Sequence, residues 1–84
     1  MKPEPKYSKE ARALKIGRYR HYKGGEYEIM GVAYHSDTGR ELVVYRALYG
    51  THCLFVRSLK VFVQNVKWQG KKVPRFRYLG KNKK

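Results

Sequence analysis

The stretch from Gly17 to Gly31, G-R-Y-R-H-Y-K-G-G-E-Y-E-I-M-G, constrains the fold most. Side chains on a strand alternate between faces with period two. Tyr19, His21 and Lys23 therefore share one side, and Arg18, Arg20 and Tyr22 share the other. Gly24-Gly25 supply the positive φ angles of a two-residue hairpin turn. Tyr27 and Ile29 begin an inward face on the return strand. Val32 and Tyr34 then continue in the opposite phase. A glycine at a phase slip predicts a bulge or a sharp bend at Gly31.

The rest of the chain repeats this theme of short apolar runs between turns. Ser36-Asp37-Thr38-Gly39 is a turn. Glu41 to Tyr49 is the most hydrophobic stretch and predicts a central strand. Its faces are Leu42, Val44 and Leu48 on one side, and Val43, Tyr45 and Ala47 on the other. Tyr49-Gly50-Thr51 turns the chain again. His52 to Ser58 predicts a fourth strand with Leu54 and Val56 toward the core, and Cys53, Phe55 and Arg57 opposite. Leu59 and Phe62, three apart, suit a single 3₁₀ turn. Val63 to Trp68 reads as a fifth strand. After a turn at Gln69-Gly70-Lys71-Lys72, residues Val73 to Leu79 alternate once more. Arg75 and Arg77 face one way there, and Phe76 and Tyr78 the other. Pro74 limits that run to an edge.

Five or six strands at spacings of about ten residues predict an all-β fold. The 3₁₀ turn before the fifth strand favours a small SH3-like barrel over an OB-like one. Ahead of it, residues 1–16 form a basic arm. Within that arm, Ser8 to Ile16 reads equally as an extended segment or as a short helix capped by Ser8. Residues 17–79 are the barrel domain, and residues 80–84 a charged tail.

The chain has 84 residues, enough for one domain with a shallow groove rather than a deep enclosed site. Its 20 Lys+Arg against 6 Asp+Glu give a formal net charge of +14. From Lys67 onward there is no acid at all. Such a field concentrates polyanions and speeds their encounter. The single Cys53 excludes an internal disulfide and reads as a packed residue in a reducing compartment. No apolar run nears the roughly 18 residues of a membrane span, and no signal-peptide core opens the chain. The expectation is a cytoplasmic protein.

Four runs in this order then make a further comparison possible: G-R-Y-R-H-Y-K-G-G-E-Y-E-I, A-Y-H-S-D-T-G-R-E-L-V-V-Y-R-A-L-Y-G, L-F-V-R-S-L-K-V-F and G-K-K-V-P-R-F-R-Y. Together they resemble the bacterial family called domain of unknown function 1653, over about Gly17 to Leu79. The resemblance implies a small SH3-like barrel and no assigned activity. It maps the family's polar and aromatic positions onto Tyr19, His21, Lys23, Tyr27, His35, Tyr45, Tyr49, Arg57, Arg75 and Phe76. Phe55 stands where family members often carry tryptophan. Members are also often acidic overall, which this chain is not.

No constellation of catalysis emerges. His21, His35 and His52 lie outside any nucleophile motif, and Ser36 and Cys53 lack an oxyanion context. His21 and His35, drawn toward Arg57, would make a small anion site. No ligand spacing suggests a metal, and His52 and Cys53 point to opposite faces. Rings beside cations are the stronger signal. Arg18, Arg20, Lys23, Arg57, Arg75 and Arg77 are the expected phosphate contacts, and Tyr19, Tyr22 and Phe55 the expected stacking rings. The sequence thus predicts non-catalytic binding of nucleic acid, RNA or single strands ahead of duplex DNA. It expects no cofactor, membrane or small-molecule substrate. The alternative is an SH3-like module for an acidic peptide, or a subunit of a ribonucleoprotein or phage assembly.

Overall fold

The computed structural model describes residues 6–81. A short helix, α1 (Lys9–Ala13), precedes four strands: β1 (Arg18–His21), β2 (Glu26–Tyr34), β3 (Glu41–Ala47) and β4 (Leu54–Ser58). A second short helix, α2 (Leu59–Phe62), follows, and then β5 (Asn65–Trp68), β6 (Lys71–Pro74) and β7 (Phe76–Gly80). The fold is mostly β, with every pairing antiparallel. One sheet has the order β4-β3-β2-β1-β7, and β5-β6 is a separate hairpin. Hydrogen bonds between strands do not close a barrel among the described residues. The large sheet nonetheless curls, because Arg57 on edge strand β4 reaches over the ring of Phe76 on edge strand β7.

Among the described residues seven strands replace the five or six expected. The C-terminal run is broken at Arg75, where the chain leaves β5 as partner and takes up β1. The turn between β1 and β2 is longer than two residues, since Arg20 already pairs with Glu26. Gly24 and Gly25 keep positive φ angles of 100° and 81° within it. At the other end of β1, Gly17 (φ 145°) allows a close backbone crossing. A Cβ there would sit 2.5 Å from the carbonyl oxygen of Gly80.

The bulge in β2 is present. Its register against β3 slips between Ile29 and Gly31, leaving Met30 exposed. Ile29 and Val32 thereby point inward on either side of the slip. The core consists of Ala11, Tyr19, Ile29, Val43, Tyr45, Leu59, Phe62 and Phe76. On β3 the buried face is Val43, Tyr45 and Ala47.

Two expected faces are corrected. Leu54 and Val56 are 57 % and 62 % exposed, whereas Phe55 and Arg57 pair with Tyr45 and Val43 and so share their inward side. Register to β3 decides this, because β4 is apolar on both faces. Cys53 is exposed rather than packed, with Sγ 2.9 Å from Thr51 Oγ1. The turn at Leu59–Phe62 is α-helical rather than 3₁₀. Val63 N–H donates to Leu59 C=O four residues back, and both Leu59 and Phe62 are buried.

Part of the N-terminal arm belongs to this core. Ser8 caps α1 by accepting from Ala11 N–H at 3.0 Å. Ser8 also donates its N–H and hydroxyl to the Glu41 carboxylate at 2.7 and 2.6 Å. These two bonds hold that carboxyl below its usual range. Ala11 is buried, and the Lys15 carbonyl accepts from the Tyr19 hydroxyl at 2.6 Å. At the other end, Gly80 pairs with Arg18. The expected arm over residues 1–5 and tail over residues 82–84 lie outside the described residues.

Candidate functional site

β1 distributes its side chains as alternation requires. Tyr19 is 6 % exposed and enclosed by Phe62 and Tyr78, so it is a core ring rather than a stacking platform. Burial pushes its hydroxyl up to about 12, with Tyr78 adding to the shift. Arg18 and Arg20 point outward, as expected, but both meet Glu26 at 3.4 and 2.7 Å. The hydrogen bond from Arg20 is the main reason the Glu26 carboxyl lies below its ordinary range. Arg77 on β7 lies directly opposite Arg20. Like charges at that separation repel, so the pair favours an anion beside it.

This pair opens on a cleft of about 230 Å³ between the large sheet and the β5–β6 hairpin. Arg20, His21, Tyr22, Trp68, Val73, Pro74 and Arg77 line it. Tyr22 and Trp68 meet edge to face at 5.2 Å. The hairpin that presents Trp68 turns on Gln69 and Gly70, both with positive φ. Lys67 and Lys72 pair across that hairpin. Sequence reading placed Arg20, Tyr22 and Arg77 among the binding residues and missed Trp68. Exposure of Trp68 depends on hairpin geometry, which its alternation with Val66 did not reveal.

A second group gathers around the Phe76 ring, behind His21. Phe76 stacks on Phe62 at 4.2 Å, and His21 meets it edge-on at 4.9 Å. The Arg57 guanidinium stands 5.9 Å from its centroid. Arg57 Nε donates to the Tyr45 hydroxyl at 3.2 Å, which fixes the plane of the fork. His21 Nδ1 accepts the Lys23 N–H at 3.1 Å. A neutral ring held this way carries its proton on Nε2, where it is a donor. Burial first, then Arg57, Arg75 and Lys23, lower the His21 pKa from its ordinary 6.5. Tyr27, Tyr49 and Phe55 add rings around this group. Burial and the hydrogen bond with Tyr49 push the Tyr27 hydroxyl to about 12. Gly25 leaves room for both tyrosines, since a Cβ there would come 3.3 Å from Tyr49.

His35 does not join His21. It lies just beyond the far end of β2, where its Nδ1 accepts from Asp37 and Thr38 N–H and caps its own turn. Arg75 donates weakly to Gln64 at 3.4 Å, and its Nε is buried without a partner. Lys23 is exposed and stands over the Tyr22 ring at 5.8 Å. Phe55 is 43 % exposed and stacks on Tyr45 at 5.7 Å. A larger hollow of about 580 Å³ between α1 and α2 has mixed charge, with Glu10 and Glu41 against Arg40 and Lys60. Among the described residues no three His, Cys, Asp or Glu side chains gather as metal ligands. No helix among them is long and apolar enough to cross a membrane.

No curated protein matches the chain. A crystal structure of a DUF1653 protein from Bordetella bronchiseptica superposes with a TM-score of 0.79 at 32 % identity, covering 88 % of this chain and 97 % of that one. The family model for a protein of unknown function (DUF1653) matches residues 17–78. That span takes in both the Arg20–Trp68 cleft and the ring of groups around Phe76, and the chain belongs to the DUF1653 family.

Proposed function

We propose that the protein is a non-catalytic nucleic-acid-binding module of SH3-like type, built on a partly open barrel, and that it takes a single strand of RNA or DNA along the Arg20–Trp68 cleft. The observation that carries this reading is the cross-strand Arg20–Arg77 pair beside the Tyr22–Trp68 rings. Cations at the mouth of the cleft contact phosphate, and rings within it stack on unpaired bases. Each stacked base contributes about 1–3 kcal/mol. The flanking chain from Lys67 onward adds cations without a single carboxylate. No helix longer than five residues is present among the described elements to enter a major groove, which favours single strands over duplex.

Fluorescence anisotropy with an internally labelled decauridylate tests this. With about five phosphates contacted, log affinity should fall against log salt with a slope of roughly −3.5. Arg77→Ala should flatten that slope by about 0.7, the share of one phosphate. Trp68→Ala should weaken binding about tenfold or more with the slope unchanged. No measurable binding at low salt would reject the reading. Binding that ignores salt would favour an uncharged peptide instead, for which the Tyr27–Tyr49–Phe55 rings offer a surface.

A further inference from the structure

We propose that the groups around Phe76 form a site for a terminal phosphomonoester, the phosphorylated end of the strand held in the neighbouring cleft. The proposal rests on the strand-binding reading, because His21 belongs to both places. His21 lines the Arg20–Trp68 cleft, and its ring also borders Phe76 beside Arg57. A strand leaving the Tyr22–Trp68 rings toward β4 therefore meets the Arg57 fork next.

The donors present suit a dianion better than an internal diester. Arg57 has its Nε committed to Tyr45, and its terminal nitrogens meet no carboxylate among the described residues. A fork fixed in this way presents two parallel N–H groups, the arrangement that recognises phosphate oxygens. His21 adds an Nε2–H, since its Nδ1 is already an acceptor. Arg75 and Lys23, like Arg57, act electrostatically on His21. Glu26 is engaged on the outer face by Arg18 and Arg20. A phosphomonoester carries about −1.5 to −2 charges, against −1 for each internal phosphodiester. The Arg57 fork and the His21 Nε2–H meet at the Phe76 ring, with the fields of Arg75 and Lys23 added to them, and this suits a doubly charged group. The Tyr27, Tyr49 and Phe55 rings supply a wall for the terminal nucleoside.

The test uses the full chain and three forms of an internally labelled decauridylate, at matched salt. One form carries a 5′-phosphate, one a 3′-phosphate, and one hydroxyls at both ends. One phosphorylated form should bind at least tenfold more tightly than the hydroxyl form, which also identifies the end recognised. Arg57→Gln should bring that ratio below threefold. Arg57→Lys, which keeps the charge without the fork, should leave an intermediate ratio. His21→Gln serves as a second variant should Arg57→Gln fail to fold, and should also reduce the ratio. Equal binding of all three forms overturns the inference and leaves the cleft reading standing. A gain that survives unchanged in Arg57→Gln and His21→Gln overturns it as well, because it would then reflect general charge. Absence of binding by every form rejects the cleft reading and this inference together.

Discussion

His21 links burial, charge and stability in one side chain. It sits against Phe76 with Arg57, Arg75 and Lys23 around it, and its pKa is lowered from 6.5. Protonation is then weaker in the folded chain than in the unfolded one. By linkage, the unfolded state binds more protons in the window below pH 6.5, so stability falls as pH drops through it. Glu26 and Glu41 are also lowered, from 4.5, and their contribution is lost only at more acidic pH. The two windows separate the histidine from the carboxylates. Urea unfolding midpoints measured at pH 7, 6 and 5 should decline in the native chain. In His21→Gln the decline over this range should be smaller, with the loss below pH 4.5 retained. An identical profile for both chains would mean that His21 is too well solvated to matter.

At the scale of elements, the β5–β6 hairpin stands apart from the main sheet. Gln69 and Gly70 have φ of 52° and 77°, the geometry of a two-residue turn that follows the twist of its strands. A Cβ at Gly70 would touch nothing within 4 Å, so Gly70→Ala strains the backbone alone, at about 1–2 kcal/mol. Trp68 is the single tryptophan and belongs to this hairpin. Its fluorescence therefore reports the hairpin, whereas far-ultraviolet dichroism reports the whole. In Gly70→Ala the fluorescence midpoint in urea should fall below the dichroism midpoint. Coincident midpoints would show the hairpin to be cooperative with the sheet. The turn was legible at Gln69-Gly70, as was the bulge from Gly31 and the phase slip beyond it, but Lys71 and Lys72, expected in the turn, pair with Trp68 and Lys67 as part of β6. The inward face of β4 was not legible. Leu54, Phe55 and Val56 are all apolar, and only pairing with Tyr45 and Val43 turns Phe55 and Arg57 inward. Arg57 tolerates that position because its guanidinium stands over the Phe76 ring and donates to the Tyr45 hydroxyl. The meeting of His21 with Arg57 was expected from the sequence and occurs at the Phe76 ring, whereas His35, expected beside them, caps its own turn instead.

For the whole molecule, the question is where the folded domain begins. Composition suggests a basic arm through residue 16, removable without harm to the barrel. The contacts give another boundary. Ala11 is in the core and Leu14 packs against it. Ser8 holds Glu41, Tyr7 stacks on Tyr34 at 5.1 Å, and the Lys15 carbonyl satisfies the Tyr19 hydroxyl. Removing residues 1–15 would leave the half-buried Tyr19 hydroxyl without its acceptor, at about 1–3 kcal/mol. It would also uncover apolar surface beneath α1, and a loss of about 3 kcal/mol in all is expected. For a domain of this size each kcal/mol shifts Tm by about 4–8 °C, so the truncated chain should melt at least 10 °C lower. The same deletion removes Lys2, Lys6, Lys9, Arg12 and Lys15 with Glu4 and Glu10, a small part of the +14 charge. The cleft cations Arg20 and Arg77 remain. Below its new Tm, the truncated chain should therefore bind decauridylate with a salt slope within about one phosphate, roughly 0.7, of the full chain. A Tm within 2 °C of the full chain would make α1 an appendage after all. A slope collapsing toward zero would move the binding surface from the cleft to the arm.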